Sequence, residues 1–531
     1  MKSALLVILT AACTCSAATR FEAEDAQLSS NAQRVAAADS SGGAHITLVH
    51  STRVDDPSTI PASAVFTFTA PATAHSQLRL RVKATSQGND SLWYALDNQP
   101  FRQLIVTPLG QWADLALPLP TLRPGEHRLT LTVRESGCAV DCLDLVQQEL
   151  LPASAATLYP PPPVTPPAEH PRVLIRSADI PALRQNLAHP QNLPFWQLVQ
   201  QRADAESSGI LDPTKHRGKA GLFDANVLTD IQCLAFLALI NQDDTTGKRA
   251  IAAMTIFLDK VDFQLDFQDI TRQLGQTIYT TALVYDWCYP LMSTENKRHF
   301  ISRAEEIAAL MEIGCPPTRQ GDITGHAGEA QLFRDLLSFG IACYDEKSTL
   351  YQVCAGRFFH HMVPPRLLFM ASGCHHQGCC YGPYRLHWEI FAAVIFQRLA
   401  GLEVFPREAV RSQLNGIIYN LLPDDWHFTN GDCYRGKTCT PTLLAIAAYC
   451  HDPMAKGEFI RQKGLDSFRR DPVTFLLFNA PELAAAERRE LPLTTFFSEP
   501  LGGMIARSGW GMGARADVAI VDMRGAGFLF G

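Results

Sequence analysis

The pattern of apolar residues changes twice along this chain of 531 residues, and each change limits the architecture that the chain can adopt. From about residue 20 to 150, apolar and polar residues alternate in short runs, which is typical of antiparallel strands. From about 172 to 485, apolar residues recur at spacings of three and four, which predicts helices. After about 493, short strand-like runs between glycines return.

These changes predict a multidomain α+β protein, and the length excludes a single small module. We expect a signal peptide at 1–18, a β-sandwich at 19–151, a proline-rich linker at 152–171, an (α/α) toroid at 172–492 and an incomplete antiparallel β-sandwich domain at 493–531. Consecutive prolines at 160–163 favour an extended polyproline II spacer. No regular repeat period is visible, so a solenoid of repeated helix pairs is not expected.

The first residues have the pattern of a secretory signal. Lys2 precedes an apolar run at 4–12, and small residues up to Ala18 form a cleavage site. A lipoprotein acylated at Cys13 or Cys15 is the alternative, although no good lipobox precedes either cysteine. The run is too short to cross a bilayer, and no other stretch resembles a membrane span. We therefore expect a periplasmic or extracellular protein.

The charge balance limits the partners. The chain has 46 basic and 53 acidic residues and a net charge of −7, which argues against nucleic-acid or polybasic membrane binding. A local basic cleft remains compatible with this balance, so an anionic substrate is not excluded. The opening Phe21 to Glu24, together with Trp93 and Trp112, is similar to carbohydrate-binding modules, whose aromatic rings stack on sugars. Core packing of both tryptophans is the alternative.

Export permits disulfides, but the spacing of the cysteines is not that of a small disulfide scaffold. Four cysteines lie in apolar helical contexts and are expected to pack as small hydrophobic residues: Cys233, Cys288, Cys343 and Cys450. Cys138 and Cys142 are close enough in sequence to pair in a turn. Cys374, Cys379 and Cys380 flank two histidines, but their spacing matches no standard zinc module, and no metal ligand is assigned.

A polar cluster at a predicted helix start contains His326 and Glu329. Their spacing of three would place both side chains on one helix face, near the free N–H groups of the helix N-terminus. An imidazole and a carboxyl group there could bind or deprotonate an anionic sugar. The alternative is an N-capping turn with a solvated His and Glu.

A second cluster is the glycine-rich loop from Gln377 to Arg385, which we place between two helices. Tyr381 precedes Arg385 by four residues, so the guanidinium would lower the pKa of the phenol and favour its action as a base. Packing of Tyr381 and Tyr384 in the core is the alternative. A third loop places His427 or Asp432 at a cleft, with simple turn formation as the alternative.

Together these clusters resemble the heparinase II/III-like polysaccharide lyases, heparinase II in particular. The resemblance rests on Gly325-His326 with Glu329 and on Gln377, Tyr381 and Arg385. Generic matches at 170–174 and 285–290 support it, and it covers about 170–531.

The resemblance implies β-elimination at a uronic acid of a heparin- or heparan-sulfate-like glycan, an acidic polysaccharide. Tyr381 would act as base, acid or both, and His326 would assist it. A protonated Glu329 would hydrogen-bond the uronate carboxylate and stabilise an enolate-like intermediate. Arg385, Gln377 and Asp432 would bind substrate. Related lyases imply a homodimer.

The family's β-domain histidine and its structural zinc ligands have no counterpart before Gly531, so we expect a C-terminally truncated lyase with no cofactor in this chain. Three alternatives stay open. The first is a toroidal glycoside hydrolase, for which Asp286, Asp345 and Asp432 are candidate carboxylates. The second is a uronate epimerase, and the third is an inactive glycan-binding remnant.

Overall fold

The structure is a computed structural model. It describes residues 18–530 except 71–74, 98, 118–121, 123–124, 205–221, 264–269, 324, 327, 423, 428–439, 511–517 and 523–526. Nearly all of the expected signal peptide therefore lies outside the described residues. The chain divides into two compact units, the first ending at Leu150 and the second beginning at Leu151.

The first unit contains two antiparallel sheets. Its strands are β1 (Ala18–Glu22), β2 (Gln27–Leu28), β3 (Ala32–Ala36), β4 (Ala44–Leu48), β5 (Ala64–Ala70), β6 (His75–Lys83), β7 (Ser91–Leu96), β8 (Arg102–Ile105), β9 (Ala113–Ala116), β10 (Gly125–Val133) and β11 (Ala139–Gln148). One sheet has the order β3-β4-β11-β6-β9, with β1 also pairing with β11. The other has the order β2-β5-β10-β7-β8.

Alternating side chains build the core between these sheets. In β5, Phe66 and Phe68 are buried while Thr67 and Thr69 are exposed. Leu80 of β6 belongs to the same apolar cluster, so both sheets contribute to one core. The predicted β-sandwich is confirmed.

The two tryptophans of this unit lie between the predicted alternatives, since both are only partly buried. The indole N–H of Trp93 donates to Val54 O at 2.8 Å, and that of Trp112 donates to Asp39 at 3.1 Å. The guanidinium of Arg81 lies 5.3 Å from the Trp112 ring centroid. A cation therefore lies beside this ring.

The expected Cys138–Cys142 turn is wrong, because Cys142 lies inside β11 and both thiols are free and buried. Extended chain separates residues four apart by roughly 13 Å, and disulfides need Cα atoms within about 7 Å. The four cysteines predicted to pack as small hydrophobic residues are all buried, which confirms that prediction.

The second unit is mainly helical. Its helices are α1 (Ile180–Leu187), α2 (Leu193–Asp204), α3 (Ala225–Asn241), α4 (Asp244–Lys260), α5 (Ile270–Trp287), α6 (Thr294–Leu310), α7 (Gly328–Ala330), α8 (Leu337–Ala342), α9 (Ser348–Arg357), α10 (Val363–Met370), α11 (Gly378–Ala400), α12 (Arg407–Tyr419), α13 (Thr440–Cys450), α14 (Pro453–Arg461), α15 (Gly464–Ser467) and α16 (Pro472–Phe478). None of the described helices is long and apolar enough to cross a membrane.

Aspartates cap the N-termini of α3 and α4. The side chains of Asp224 and Asp243 accept hydrogen bonds from the first backbone N–H groups of α3 and α4. Helix α5 packs against α3, α6 and α8, and the last helix, α16, packs against α2 and α3. The helical region therefore closes on its own beginning, and the predicted α+β fold class is confirmed.

Two helices differ from the sequence expectation. A π-helical turn, Gln331–Leu336, joins α7 to α8. Helix α11 begins at Gly378, so the predicted loop from Gln377 to Arg385 is helical instead. Pro383 lies near the helix start and removes one backbone hydrogen bond. The long buried run that follows it, up to Leu399, stabilises the helix nonetheless.

The segment predicted as a spacer packs against the helices of the second unit. Leu151 is fully buried, and Val164 is 7% exposed. The hydroxyl of Tyr351 donates to Val164 O at 2.6 Å, and Arg172 donates to Pro167 O at 2.6 Å. Polyproline geometry exposes backbone carbonyls, and here buried side chains bind two of the segment's carbonyls.

The chain ends in an antiparallel sheet of the order β12-β13-β14-β15. Its strands are β12 (Thr494–Phe497), β13 (Gly503–Arg507), β14 (Val518–Asp522) and β15 (Gly527–Phe530). Arg507 donates to the carbonyls of Tyr419 and Leu421 at 3.0 and 2.6 Å. These contacts attach the sheet to the end of α12.

Candidate functional site

The two predicted clusters meet in space, although more than fifty residues separate them. At the start of α11, the side chains of His376 and Gln377 donate to the carbonyl of Ile323 at 3.2 and 3.3 Å. About two turns further along, Arg385 donates to the carbonyl of Gly325. The segment that carries His326 is therefore attached to the first two turns of α11.

A buried chain of alternating charges lies beneath this junction. Glu329 is 3% exposed and has one carboxylate oxygen 3.4 Å from Arg366 and the other against Arg385. Arg366 also donates to Glu389 at 2.7 Å. We call Glu389, Arg366, Glu329 and Arg385 the ion-pair chain. Each of its charges has an opposite neighbour, which is the condition for keeping charges in a low-dielectric interior.

Sequence reasoning missed Arg366, which pairs with Glu329, and Glu389, which pairs with Arg366. Burial disfavours the ionised form of Glu389, but Arg366 and His375 together outweigh it and lower the pKa of this carboxyl. Arg366 also donates to Asp322 O at 2.6 Å, so it supports the segment before His326 as well. The available signal was a single charged residue inside each of two apolar helical runs.

Glu329 and His326 do not share a helix face, which corrects the expectation from their spacing. Helix α7 begins at Gly328, so His326 precedes it. The His326 side chain is 51% exposed, and its Nδ1 lies 2.9 Å from Glu312. The backbone N–H of His326 donates to Gln320 at 3.0 Å. His326 is therefore at the surface of the site, while Glu329 is inside it.

Tyr381 is 38% exposed, which argues against the alternative that it is a core residue. It lies in the first turn of α11, where the guanidinium of Arg385 is 5.4 Å from its ring centroid. Arg385 is 8% exposed, and its Nε has no hydrogen-bond partner within the described ranges. One donor of Arg385 is therefore buried and, within these ranges, unpaired near the tyrosine ring.

Two stacked histidines precede α11 and contact the segment that carries His326. The rings of His375 and His376 lie 4.5 Å apart, and Phe369 stacks on His376 at the same distance. Burial, followed by the neighbouring His375, lowers the pKa of His376 to about 4. His376 is therefore neutral near pH 7 and donates through Nε2 to Ile323 O.

The carboxylates considered for glycoside hydrolysis have structural roles. Asp286 is fully buried and accepts from the N–H groups of Arg172 and Val173, both at 2.8 Å. Asp345 pairs with the Arg172 guanidinium at 2.9 Å. These bonds attach the start of the helical region to its interior. Asp432, the remaining candidate in that set and a predicted substrate-binding residue, lies outside the described residues.

Metal ligation was also considered. In the part of the chain that the structure describes, no group of three or more His, Cys, Asp or Glu side chains is arranged to hold a metal ion. The Cys374 thiol lies 3.8 Å from His375 O, and Cys379 is buried.

No family model matches this chain, and a search of curated proteins returned no match. Solved structures match parts of it. An exo-β-1,3-galactanase from Phanerochaete chrysosporium, solved with galactose, is 14% identical with a TM-score of 0.20, over 24% of this chain and 29% of that chain. The C-terminal carbohydrate-binding module of a marine laminarinase from Zobellia galactanivorans is 14% identical with a TM-score of 0.20, over 25% of this chain and 100% of that chain.

A carbohydrate-binding module of a lichenase from Cellvibrio mixtus, in complex with cellotriose, is 17% identical with a TM-score of 0.19, over 25% of this chain and 97% of that chain. The matched proteins are carbohydrate-active enzymes and carbohydrate-binding modules. TM-scores this low do not establish a shared fold or function. The chain spans less than a third of the length of the first structures it matches.

Proposed function

We propose that this chain is an exported polysaccharide lyase that cleaves a uronic-acid-containing glycan by β-elimination. One observation carries the proposal. An exposed tyrosine, Tyr381, lies beside the guanidinium of Arg385, and the buried ion-pair chain holds that guanidinium in place. An acid–base group next to a fixed cation is the arrangement that proton abstraction beside a carboxylate requires.

The cation would act first. The C5 proton of a uronate becomes acidic enough to remove only when the adjacent carboxylate is neutralised. The positive charge of the Arg385 guanidinium, which lies 5.4 Å from the Tyr381 ring centroid, would neutralise that carboxylate. Glu329 would hold Arg385 in position, because a carboxylate paired with two guanidinium groups accepts hydrogen bonds and donates none. This differs from the role of Glu329 that the family resemblance implies.

Tyr381 would then remove the proton. Its phenolate oxygen takes the C5 proton, the C–H electron pair forms the C4–C5 double bond, and the C4–O4 bond breaks. The departing O4 takes a proton from Tyr381 or from His326, whose ring nitrogen lies 2.9 Å from Glu312 at the surface of the site. The products are an unsaturated uronate and a new reducing end.

The test is digestion of heparan sulfate, chondroitin sulfate and alginate with the full chain. We expect the ultraviolet absorbance of the conjugated unsaturated uronate to rise in step with new reducing ends. Reducing ends without absorbance would indicate hydrolysis and contradict the proposal. Exchange of the C5 hydrogen without cleavage would indicate an epimerase, and binding alone would indicate a non-catalytic protein.

Tyr381→Phe removes the proton-transfer group and keeps the ring. We expect turnover to fall about 10³-fold, the range of a lost general acid–base, while the affinity for substrate stays the same. Tyr344→Phe is the matched control, because Tyr344 packs against Tyr351 outside the site. Retained turnover in Tyr381→Phe would exclude Tyr381 from the mechanism.

A further inference from the structure

A cavity of about 260 Å³ lies between α5, the π-helical turn and α11, next to the candidate site. Its lining includes Ala330 and Tyr384. We call it the donor cavity. The proposed reaction uses none of these side chains, so the cavity needs its own explanation.

Three hydrogen-bond donors in its lining have no partner in the described parts of the chain. They are the hydroxyl of Thr271, the amide nitrogen of Gln331 and the indole N–H of Trp388. Thr271 and Gln331 are each 1% exposed. The Gln331 carbonyl oxygen accepts from the N–H of Ile313 at 3.0 Å, so the orientation of this amide is fixed by its oxygen. Buried donors without acceptors cost free energy, and a ligand rich in acceptors recovers it.

Two guanidinium groups lie in the same lining. Arg334 is between two aromatic rings, 4.6 Å from the Trp388 centroid and 5.0 Å from that of Tyr279. It also pairs with Asp335 at 2.6 Å. Arg272 is exposed, and its guanidinium lies 5.9 Å from the Tyr384 ring. Guanidinium groups beside neutral N–H and O–H donors are suited to an oxyanion, either a carboxylate or a sulfate.

The position of the cavity connects it to the reacting centre. Ala330 follows Glu329 directly, and Tyr384 directly precedes Arg385. Successive residues of a helix point about 100° apart, so each pair faces two adjoining spaces. A group bound in the donor cavity would therefore lie beside a sugar held at Glu329 and Arg385.

We propose that the donor cavity binds an acidic group, a carboxylate or a sulfate, on the glycan that the Glu329–Arg385 centre holds. This inference rests on the proposed function, because it takes that glycan as the ligand. The inference adds a binding site for a second acidic group, by which the protein would select its substrate. Thr271 and Arg272 are specificity residues here, and they take no part in proton transfer.

The experiment measures binding by the full chain carrying Tyr381→Phe, which prevents turnover. The probes are a chondroitin sulfate hexasaccharide and its chemically desulfated counterpart, titrated by calorimetry. Arg272→Met and Thr271→Val are then added singly. Arg298→Met, an exposed arginine on α6, is the matched control. We expect Kd to rise about tenfold for Arg272→Met and several-fold for Thr271→Val, since each loses contacts with a charged group. Arg298→Met should leave Kd unchanged.

The outcomes separate the inferences. Unchanged affinity in both cavity variants, or no binding by the parent, would overturn the donor cavity. If Arg272→Met weakens both probes equally, the bound group is a carboxylate. If it weakens the sulfated probe alone, the group is a sulfate. If binding depends on Arg272 but the chain with Tyr381 intact forms no unsaturated product, the donor cavity is supported and the proposed lyase activity is contradicted. Arg272→Met is also made in the chain that keeps Tyr381; an unsaturated product formed there with an unchanged KM would support the lyase and overturn the donor cavity.

Discussion

The polar groups on the two sides of α11 differ in whether they have partners within the protein. On the side of Arg385, the four members of the ion-pair chain are buried and paired. On the side of Trp388, buried donors line a cavity and have no partner among the described residues. The charges of a paired cluster are already compensated within the protein, whereas unpaired donors need an acceptor from outside it, either water or a ligand. The comparison predicts that mutations on the first side affect stability and mutations on the second affect binding.

The largest effect is expected from Glu329→Ala. It leaves Arg366 and Arg385 buried, each at 8% exposure or less, without the carboxylate between them. We expect the free energy of unfolding, measured by urea denaturation, to fall by about 3–5 kcal/mol. Glu408→Ala is the control, because the Glu408 side chain is 83% exposed in its pair with Arg411. Equal losses of unfolding free energy in the two variants would show that the buried ion-pair chain contributes no more to stability than an exposed ion pair.

The next effect is a dependence of stability on pH at His387, which lies beside Trp388 in α11. Burial, followed by the charge of Arg334, lowers the pKa of His387 to about 3. An unfolded imidazole has a pKa near 6.5 and takes up a proton below it, so stability falls as the pH decreases. Between pH 7 and pH 5 we expect His387 to account for a loss of about 2 kcal/mol.

His387→Gln should remove this part of the slope, measured as the difference between unfolding free energies at the two pH values. His360→Gln is the control, because His360 is exposed. Glu389 behaves differently from His387. Its lowered pKa keeps this carboxyl group of the ion-pair chain charged down to more acidic pH. A slope that persists in His387→Gln would show that the acid sensitivity lies elsewhere.

The smallest effect compares two buried threonines. The Thr442 hydroxyl donates to Pro383 O at 2.6 Å, so Thr442→Val leaves a buried carbonyl without that donor. We expect it to lower the free energy of unfolding by about 1 kcal/mol. Thr271→Val loses no hydrogen bond to the described residues and should leave stability unchanged. A comparable loss in Thr271→Val would mean that its hydroxyl is already satisfied without a ligand.

The sequence was informative where one period dominates. The apolar spacing of three and four predicted helices from about 172 to 485, and α1 to α16 all lie within that range, because the buried face repeats with the helix. It failed at the start of α11, where glycines and Pro383 obscure that period. Tertiary packing against α13 decides the outcome there.

The candidate site was predictable only in part. His326, Glu329 and Tyr381 were found through their spacing and a family resemblance. Arg366 was not, because its role depends on an approach between α10, α7 and α11 that no local pattern encodes. The donor cavity was missed for the same reason. Thr271 and Trp388 lie on helices far apart in sequence, and unpaired hydroxyl and indole groups leave no trace in the order of residues.

The packing of the proline-rich segment at 152–171 determines where the chain could be cut into separately folding parts. Its prolines predict an extended spacer, yet Leu151 is fully buried and the Tyr351 hydroxyl donates to the carbonyl of Val164. A helical piece cut immediately before Arg172 would lose a strip of its own interior and leave that hydroxyl without its acceptor. The unit that could be produced separately therefore begins at Leu151, and the proline-rich segment is part of its packed structure.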